Sequence, residues 1–585
     1  MRYNLNKPQQ AAEQVDLRQS IKKLLPLLLS EKRLLLVALI TVLVGSTLSL
    51  LAPYLVGYII DHFIKIGQYK QLFLWSGYLL AIYLAALLVS YIQTKTVGTL
   101  GQRVLFTLRK QIFEKLQQLP ISFFDQNKAG DLTSRINNDT DNLNRFFSQA
   151  LAQFTGNAFS IVGVTIFIFV LNWRLAVTAL IPALFLLLVT RFLSPWIKTR
   201  NAKSLKALGN LSAEIQESLN NFKVIIAFNR RDYFRQNFTE VNQANYQNSI
   251  KAGIANTLLM PIYHMASNLA NLLVLIVGIL LIQHSLLTTG LLISFFLYLD
   301  RLYGPMRQMA NLWSIFQTAL ASYDRITAIL ALETDLPILP SQKRTDTDTV
   351  IAFKKVFFRY GKTPVLQNIS FQLKEGKTYA FVGPTGGGKT TTASLMARLY
   401  DPEKGQVIFE GQDLRSWPSE ERAKKISFIL QEPFLFSGNI AENILYGNRD
   451  YQDFTVKKLQ KLLAENNLDA LIKRFPNGLE TPVVNGGESL SLGQKQLIAF
   501  IRIVLRNPDL LILDEATANI DTVTENLLDD ILAHLPKKTT LVVIAHRLNT
   551  IENADEIFFV NAGRITPAGS MQQAVDMLLH QKRKS

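Results

Sequence analysis

The sequence predicts two domains of different fold class: an all-α membrane domain of six long transmembrane helices over residues 1–325, and an α/β domain over residues 349–585. Three observations indicate this division. Six long apolar stretches lie in the first part, and short apolar strands alternate with amphipathic helices in the second. One of those strands leads into a glycine-rich loop typical of phosphate binding. Residues 326–348, with two prolines and a polar run, are predicted to be a linker.

Each apolar stretch approaches the roughly 20 residues that cross the hydrocarbon core of a bilayer. A buried helix of a soluble protein is the alternative for any one stretch, but six in succession favour a membrane domain. The six lie near Leu34–Ile60, Leu72–Ile92, Leu151–Leu171, Leu175–Leu193, Leu258–Ile282 and Leu286–Leu302.

The polar connections after the second and fourth spans are predicted to continue the helices beyond the bilayer. In the first connection apolar residues recur at every fourth position from Val104 to Leu116. A helix from Leu72 to Leu119 would be roughly 70 Å long. Pro120 ends it, and the sequence ISFFDQ would form a short turn or helix at its tip. The second tip is predicted near residues 227–238.

Basic residues concentrate in these two long connections, which places them on the cytoplasmic side of the membrane. An even number of spans then puts both termini in the cytoplasm. Residues 17–33, basic and amphipathic, are predicted to form a helix along the inner surface. The expected location is therefore the cytoplasmic (inner) membrane, crossed several times.

The formal net charge of +17 is explained by this arrangement. Basic proteins can bind nucleic acid, but beside long apolar segments the charge favours basic loops and contact with anionic lipid. We therefore expect a lipid bilayer, and no nucleic acid, as a partner. The chain has no cysteine, which excludes disulfides and thiolate metal sites.

The strongest local motif is a strand, Tyr379–Val382, followed by GPTGGGKT and a helix. Glycines let backbone N–H groups turn towards phosphates, and the helix N-terminus adds partial positive charge. We expect Lys389 to reach the β- and γ-phosphates and the Thr390 hydroxyl to bind Mg²⁺. A glycine-rich turn without a ligand is the alternative. The predicted nucleotide contacts here are Gly383, Pro384, Thr385, Gly386, Gly387, Gly388, Lys389, Thr390 and Thr391.

A second motif, PDLLILDEAT, places Asp514 and Glu515 at the end of an apolar strand. Asp514 is predicted to assist Mg²⁺ binding, and Glu515 to act as the general base on an attacking water. A further strand, TLVVIA, leads to His546, for which we predict a γ-phosphate contact.

These motifs and their order resemble those of ATP-binding cassette (ABC) exporters, in which a membrane domain precedes an ABC ATPase domain with a helical subdomain. The resemblance covers nearly the whole chain and implies ATP and Mg²⁺ as ligands. By this resemblance Tyr360 in VFFRYG stacks on adenine, and Gln431 in ILQEPFLFSGNI contributes to Mg²⁺ binding and catalysis. Asp521 ends the loop ANID near the nucleotide, and His546 is the switch histidine.

The resemblance also identifies LSLGQ, residues 490–494, as the family's signature, which usually reads LSGGQ at a helix N-terminus. In the family two ATPase domains pair head to tail, and each ATP lies between one phosphate loop and the other domain's signature. Ser491, the N–H of Gly493 and Gln494 are thereby expected to contact the partner's ATP.

Leu492 departs from that signature. Leucine adds a branched side chain and restricts φ where glycine would allow a close approach and positive φ. VVNGGE and Asn519 depart from the family as well, whereas the phosphate loop and the acidic pair are intact. We therefore expect the catalytically complete half of a heterodimeric bacterial multidrug exporter, paired with a different half-transporter. A homodimer that tolerates Leu492 is the alternative.

Asp300 falls inside the sixth apolar stretch, where a carboxylate is costly unless it faces a cavity or a partner. Alternatively, Arg301 and Arg307 neutralise the charge of Asp300, which then has no role in cargo binding. The predicted cargo contacts are Asp300, Tyr298, Tyr303 and His264.

The expected function is ATP-driven export of amphiphilic small molecules, drugs or lipids, by alternating access. A dedicated peptide or lipid translocase is one alternative. An ATP-gated channel or regulator is another, and the intact Glu515 and His546 argue against it.

We predict that Glu515→Gln removes hydrolysis and spares ATP binding, because the general base is lost while the phosphate and Mg²⁺ ligands remain. The expected loss of turnover is at least ~100-fold, the lower range for general-base catalysis. Phosphate release and binding of a fluorescent ATP analogue measure the two effects. Normal turnover by the mutant complex would show that Glu515 is not the base.

Overall fold

The structure is a computed structural model that describes residues 26, 29, 31–332, 336, 338–340, 348–431, 433–451, 453–514, 522–533, 535–544 and 552–581. Contacts divide the chain into two units. The membrane unit comprises residues 7–117 and 129–331. The other unit, which contains the predicted ATPase domain and is called the ATPase unit, comprises the described residues of Leu332–Ser585 together with Gln118–Lys128, the tip of the first long connection. The predicted surface helix over 17–33 lies almost entirely outside the described residues.

Long helices form the membrane unit, some of them more than twice the length needed to cross a bilayer. In chain order the helices up to residue 330 are α1 (Lys32–Ile59), α2 (Tyr69–Gln117), α3 (Ile121–Gln126), α4 (Ala129–Ser134), α5 (Thr140–Arg145), α6 (Leu151–Leu171), α7 (Trp173–Asn220), α8 (Phe222–Ala227), α9 (Arg231–Gln283) and α10 (Thr289–Leu330). Short π-helical turns continue α1 at Ile60–Ile64 and join α4 to α6 at Arg135–Asp139 and Phe146–Ala150.

Five helical segments of the described chain are long and apolar enough to cross a membrane: Lys32–Ile64, Tyr69–Gln117, Ala129–Leu171, Trp173–Asn220 and Arg231–Gln283. The sixth predicted span is present as the 42-residue helix α10 but is less apolar. Asp300 and Arg301 lie within its apolar stretch and lower its mean hydropathy. The sixth helix also runs through Leu330, five residues past the predicted domain end, because its helical pattern continues into the expected linker.

The helices continue through the polar connections, as predicted. Helix α2 has 49 residues, which corresponds to about 74 Å. The segment ISFFDQ forms the predicted short helix α3. The second tip begins earlier than predicted and overlaps the predicted range: the chain breaks at Asn221 and again at Phe228–Arg230, where Asn229 has a φ of 51°. Residues 231–238 belong to the long helix α9.

Small residues let the membrane helices approach closely. Ala176 and Ala179 of α7 and Ala270 of α9 are fully buried in one apolar cluster, together with Phe295 and Tyr298 of α10. The apolar residues on the outer surfaces of these helices remain exposed, as expected for a surface that faces lipid or a second subunit.

Helices α1 and α10 are joined by a particularly close contact. A Cβ atom added at Gly57 would lie 2.0 Å from Ser294 Oγ and 2.5 Å from the Gly290 carbonyl oxygen. Ser294 Oγ donates to the Pro53 carbonyl at 2.8 Å. Asp61 accepts a hydrogen bond from the Gly290 N–H at 2.8 Å, so that it caps the start of α10.

The ATPase unit contains two main sheets. The strands are β1 (Thr349–Tyr360), β2 (Thr363–Lys374), β3 (Thr378–Val382), β4 (Lys404–Phe409), β5 (Gln412–Asp413), β6 (Ile426–Ile429), β7 (Gly438–Asn439), β8 (Pro482–Val483), β9 (Leu510–Asp514), β10 (Thr540–Ile544), β11 (Glu556–Asn561) and β12 (Arg564–Pro567). One sheet has the order β2-β1-β4-β5 and is antiparallel. The other has the order β12-β11-β3-β10-β9-β6, with β12 alone antiparallel to its neighbour.

Apolar strands and helices account for this architecture. Strands β3 and β9 are apolar almost throughout and buried along nearly their whole length, as expected for parallel strands covered on both faces. Besides α3, the helices among the described residues of this unit are α11 (Lys389–Met396), α12 (Ser419–Lys425), α13 (Ile440–Leu445), α14 (Val456–Glu465), α15 (Asp469–Ile472), α16 (Leu492–Val504), α17 (Thr522–Ala533) and α18 (Met571–Gln581). Helices α13 to α16 surround a second apolar core and form the expected helical subdomain.

We predict that Gly57→Ala destabilises the membrane unit by about 1–3 kcal/mol, because the added methyl group overlaps Ser294 and the Gly290 backbone. Thermal unfolding in detergent measures the effect. Gly77→Ala is the matched control, since a Cβ there meets no atom within 4 Å and α2 gains helix propensity. Equal unfolding temperatures for both variants would contradict the close contact between α1 and α10.

Candidate functional site

The phosphate loop connects the central strand β3 to helix α11. Gly386 and Gly388 have φ values of 81° and 113°, in the region that favours glycine. The Val560 carbonyl of β11 lies against the loop, and a Cβ at Gly383 would be 2.0 Å from its oxygen. At Gly387 the corresponding distance is 2.6 Å. The backbone of β11 therefore requires glycine at both positions.

Lys389 and Thr390 begin the helix that follows the loop. The Lys389 ammonium donates to the carbonyl oxygens of Gly383 at 2.9 Å and Pro384 at 3.1 Å. The side chain thus curls over the loop, where phosphate oxygens would replace these weaker acceptors. Thr390 Oγ1 lies 3.3 Å from Asp514 Oδ1, so the two predicted Mg²⁺ ligands are already adjacent.

These donors suit Mg²⁺, which prefers a few protein oxygens and completes its shell with water and phosphate. Asp514 is buried at the end of β9, and Thr390 is held beside it by the first turn of α11. Within the described parts of the chain no three His, Cys, Asp or Glu side chains form a metal cluster. A Mg²⁺ ion would therefore be held by few protein oxygens, those of Thr390 and Asp514 among them, together with the nucleotide's own oxygens.

Three predicted residues, Glu515, Asp521 and His546, lie outside the described residues. The strands that precede them are nevertheless neighbours. Ile544 of β10 pairs with Asp514 of β9, so both strands end at the same edge of the parallel sheet as β3. The roles of these three residues remain predictions. Gln431 follows the edge strand β6 and is solvent-exposed.

Tyr360 ends strand β1 with its side chain 41% exposed, so one part of the ring is free for a ligand to stack on. Its ring meets those of Phe358 and Tyr400 edge to face, at 4.9 Å and 5.3 Å between centroids. Burial of the hydroxyl end raises the pKa of Tyr360, and a hydrogen bond with Thr391 partly opposes that rise. The bond joins Tyr360 to the helix of the phosphate loop.

The signature segment begins helix α16. Ser491 is the N-cap: its Oγ accepts from the Gln494 N–H at 3.2 Å, and the Gln494 side chain accepts from the Ser491 N–H at 3.0 Å. This capping box orients Ser491 Oγ and leaves its own proton available for an anion. The backbone of Gly493 is close to helix α17, since a Cβ there would lie 3.1 Å from Thr524.

The structure corrects one part of the argument about Leu492. The residue occupies the first position of α16 and is not among the described residues with positive φ. Its backbone is helical, a conformation that leucine adopts without strain. The difference from glycine is therefore the side chain alone, which stands beside Ser491 at the helix start.

Sequence reasoning missed two features of this unit. Tyr400, in the turn after α11, contacts Tyr360, and the aromatic residue in RLYDPEKG was the only sequence signal for this contact.

The other feature is a cavity of about 900 Å³ beside β6, with exposed Phe434, Phe436 and Tyr446 at its wall. The aromatic residues of the segment after Gln431 were the available signal.

In the membrane unit, a cavity of about 710 Å³ opens between α1, α2, α6 and α10. Asp300 and Arg301 line it together with hydroxyl and amide side chains, which are unusual at membrane depth. Those polar residues are Ser46, Ser49, Ser90, Gln93, Gln153, Asn157 and Ser160. In the described chain no ion pair joins Asp300 to Arg301 or to Arg307.

The other predicted cargo residues do not line this cavity. Tyr298 and Tyr303 are buried in the helix core, where their hydroxyls donate to the carbonyls of Leu50 at 2.6 Å and Ala179 at 2.9 Å. Both hydroxyls are used in helix packing, so neither tyrosine lines this cavity, and their contact with cargo stays a prediction. His264 Nε2 lies 3.3 Å from the Arg307 guanidinium, which can only donate to it.

Comparison with known protein families gives two matches. Residues 35–306 match the family described as "ABC transporter transmembrane region". Residues 366–518 match the family described as "ABC transporter".

Individual relatives extend over most of the chain. It is 33% identical to the "Uncharacterized ABC transporter ATP-binding protein YfiC" of Bacillus subtilis over 96% of this chain and 93% of the relative. It is 32% identical to a "Fatty acid ABC transporter ATP-binding/permease protein" of Mycobacterium tuberculosis, over 84% of this chain and 77% of the relative. It is 29% identical to an "ATP-dependent lipid A-core flippase" of Syntrophus aciditrophicus, over 91% of this chain and 88% of the relative.

Proposed function

The chain belongs to the ABC transporter family, and from this membership we propose that it is one half of an ATP-driven exporter of amphiphilic small molecules. It unites a membrane domain with an ABC ATPase domain. The observation that carries the proposal is the adjacency of the phosphate loop, Thr390 and Asp514 in a chain whose membrane unit contains a polar cavity at Asp300.

ATP supplies the driving force by favouring one conformation over another. In the proposed cycle ATP binding closes two ATPase domains on each other and turns the cavity outward, and hydrolysis reopens it. Lys389 holds the β- and γ-phosphates, Thr390, Asp514 and Gln431 hold Mg²⁺, and Glu515 polarises the attacking water. Tyr360 receives the adenine ring, and His546 contacts the γ-phosphate.

The cargo is proposed to be an amphiphile, a drug or a lipid. The cavity offers both hydrogen-bonding side chains and apolar residues such as Val42 and Leu297. Relatives named for fatty acid transport and for flipping of lipid A-core favour a lipid, so a dedicated lipid translocase is the second candidate. A panel of labelled lipids and cationic drugs in proteoliposomes separates the two.

The partner is proposed to be a different half-transporter. Ser491, Gly493, Gln494 and Asp521 would contact the ATP held by that partner. The Leu492 side chain stands beside Ser491. It would obstruct the close approach of a partner's ATP that two glycines allow. This favours one complete site, built on Lys389 and Glu515, and one degenerate site, both on the cytoplasmic side with the two termini.

We predict that the two nucleotide sites hydrolyse ATP at unequal rates, with nearly all turnover at the Lys389 site. Mutation of the partner's signature serine should then lower activity as deeply as Glu515→Gln does, by at least ~100-fold. Leu492→Gly should leave turnover at the Lys389 site largely unchanged. ATPase activity of this chain alone and with its partner is the measurement.

A homodimer would give a different result. If this chain alone forms a fully active dimer that hydrolyses two equivalent nucleotides at one rate, the asymmetry proposal is wrong. ATP-driven transport by that homodimer would still support the exporter function.

We predict that Asp300→Asn lowers transport of cationic cargo more than basal ATPase activity, because it removes a charge from the cavity wall and leaves the nucleotide site intact. Transport of matched cationic and neutral amphiphiles is measured in proteoliposomes. Asp232→Asn, at the exposed start of α9, is the control carboxylate. An unchanged preference between the two cargoes would exclude contact with Asp300.

A further inference from the structure

The cavity between α1, α2, α6 and α10 carries one charge of each sign. Among the described residues that line it, Asp300 and Arg301 are the only charged ones, so the formal charge of the wall is zero. Within the described chain neither side chain forms an ion pair with another residue. Both charges are therefore available to a molecule inside the cavity.

The positions of the two residues on α10 explain why they do not pair with each other. Consecutive residues of an α-helix point about 100° apart and do not face each other. Arg307, the other cation considered for Asp300, does not line the cavity, and its guanidinium lies 3.3 Å from His264 Nε2. The acid and the base thus stand side by side on one wall.

This turn of α10 is joined to α6, where Ser160 Oγ donates to the Arg301 carbonyl at 3.4 Å. About 17 Å of helix separate Asp300 from Thr289, the first residue of α10. That distance places both charges near the middle of a hydrocarbon core of about 30 Å. At this depth a charge without a partner is costly, so each of the two favours a cargo group of opposite sign.

The rest of the wall suits a polar headgroup joined to an apolar chain. Hydroxyl and amide side chains come from three other helices, and the cavity volume of about 710 Å³ is that of a site for a small molecule. Such groups form hydrogen bonds but carry no full charge. Apolar contacts are provided by Val42, Ala86, Leu297 and Pro305.

The two charges discriminate between classes of cargo. A simple cation would compensate Asp300 and stand beside the like charge of Arg301, and a simple anion would do the reverse. An uncharged headgroup would leave both residues without a partner of opposite sign. A cargo that carries both charges compensates both residues, and the repulsion that it avoids is the source of the selectivity.

We propose that the cavity selects a zwitterionic amphiphile, with the cationic group of the headgroup at Asp300 and the anionic group at Arg301. Phospholipids that carry an ammonium and a phosphate in one headgroup belong to this class. The inference rests on the proposed function, because it names the cargo of the same cavity. It gives Arg301 a part in cargo selection equal to that of Asp300.

Four lipids with the same fluorescent acyl chain test the two charges separately. Phosphatidylcholine carries both charges, and ethylphosphatidylcholine carries only the ammonium because its phosphate is esterified. Phosphatidylmethanol carries only the phosphate, and a glucosyl diacylglycerol carries neither charge. The full chain, assembled with its partner in proteoliposomes, is given Mg·ATP, and the transfer of each lipid between leaflets is followed by its accessibility to dithionite.

The unmutated complex should transfer phosphatidylcholine about tenfold faster than each of the other three lipids, the effect of one charge-assisted contact. Asp300→Asn should abolish the preference for phosphatidylcholine over phosphatidylmethanol, because the partner of the ammonium is lost. Arg301→Gln should abolish the preference over ethylphosphatidylcholine, because the partner of the phosphate is lost. Each variant should keep the preference that the other one loses.

Two control variants remove charges outside the cavity. Asp232→Asn lies at the exposed start of α9, and Arg191→Gln lies at an exposed position of α7 that does not line the cavity. Both should leave the preferences among the four lipids unchanged. If a cavity variant fails to assemble, the four rates of the unmutated complex still decide the proposal.

Equal rates for phosphatidylcholine and ethylphosphatidylcholine in the unmutated complex would overturn the proposal, because Arg301 would then take no part in selection. The same holds if either cavity variant loses both preferences or neither. ATP-driven export of cationic drugs without a preference for phosphatidylcholine would overturn this inference and leave the exporter function standing. Absence of ATP-driven transfer of every lipid and every drug would count against both.

Discussion

The carbonyl oxygen of Val560 occupies the space that side chains at Gly383 and Gly387 would need, and the nucleotide site depends on that contact. Strand β11 can press on the phosphate loop only because two residues of the loop lack a Cβ. The loop then turns sharply enough for α11 to begin at Lys389, which places Thr390 beside Asp514. Backbone packing at each of these positions thereby brings the Thr390 hydroxyl and the Asp514 carboxylate together.

Each unit contains a carboxylate that lies in a different environment. In the ATPase unit the carboxylate of Asp514 is buried at the end of a parallel strand, where a divalent cation and phosphates would compensate it. In the membrane unit the carboxylate of Asp300 faces a cavity lined by hydroxyls and amides. Close helix packing makes that cavity possible, because the glycine contact between α1 and α10 and the buried hydroxyl of Tyr298 hold the two helices in register.

Most of the fold followed from periodicity and length. The long helices, the tip helix at ISFFDQ and the strand–loop–helix at the phosphate loop are local patterns, and the structure has them where they were expected. The second tip overlaps the predicted range at Phe228–Arg230 but does not extend to residue 238, because the basic, aromatic segment near Tyr233 continues a helix as well as it would form a turn. The packing role of the hydroxyls of Tyr298 and Tyr303 was not predicted, for a related reason. Sequence spacing shows which helix carries a hydroxyl, but it does not show to which backbone carbonyl that hydroxyl donates a hydrogen bond.

The sequence by itself determined the fold class, the family and the presence of an ATP-binding domain, because each is encoded in residues adjacent along the chain. Only the tertiary structure decided three further points. It showed that Leu492 sits in a helical backbone, so that its side chain alone distinguishes it from glycine. It brought Asp300 and seven polar residues from four helices around one cavity. It also placed Tyr400 between Tyr360 and Asp125. The two contacts of Tyr400 join residues that are 40 and 275 positions apart in the chain. No local sequence pattern constrains pairs of residues at such separations.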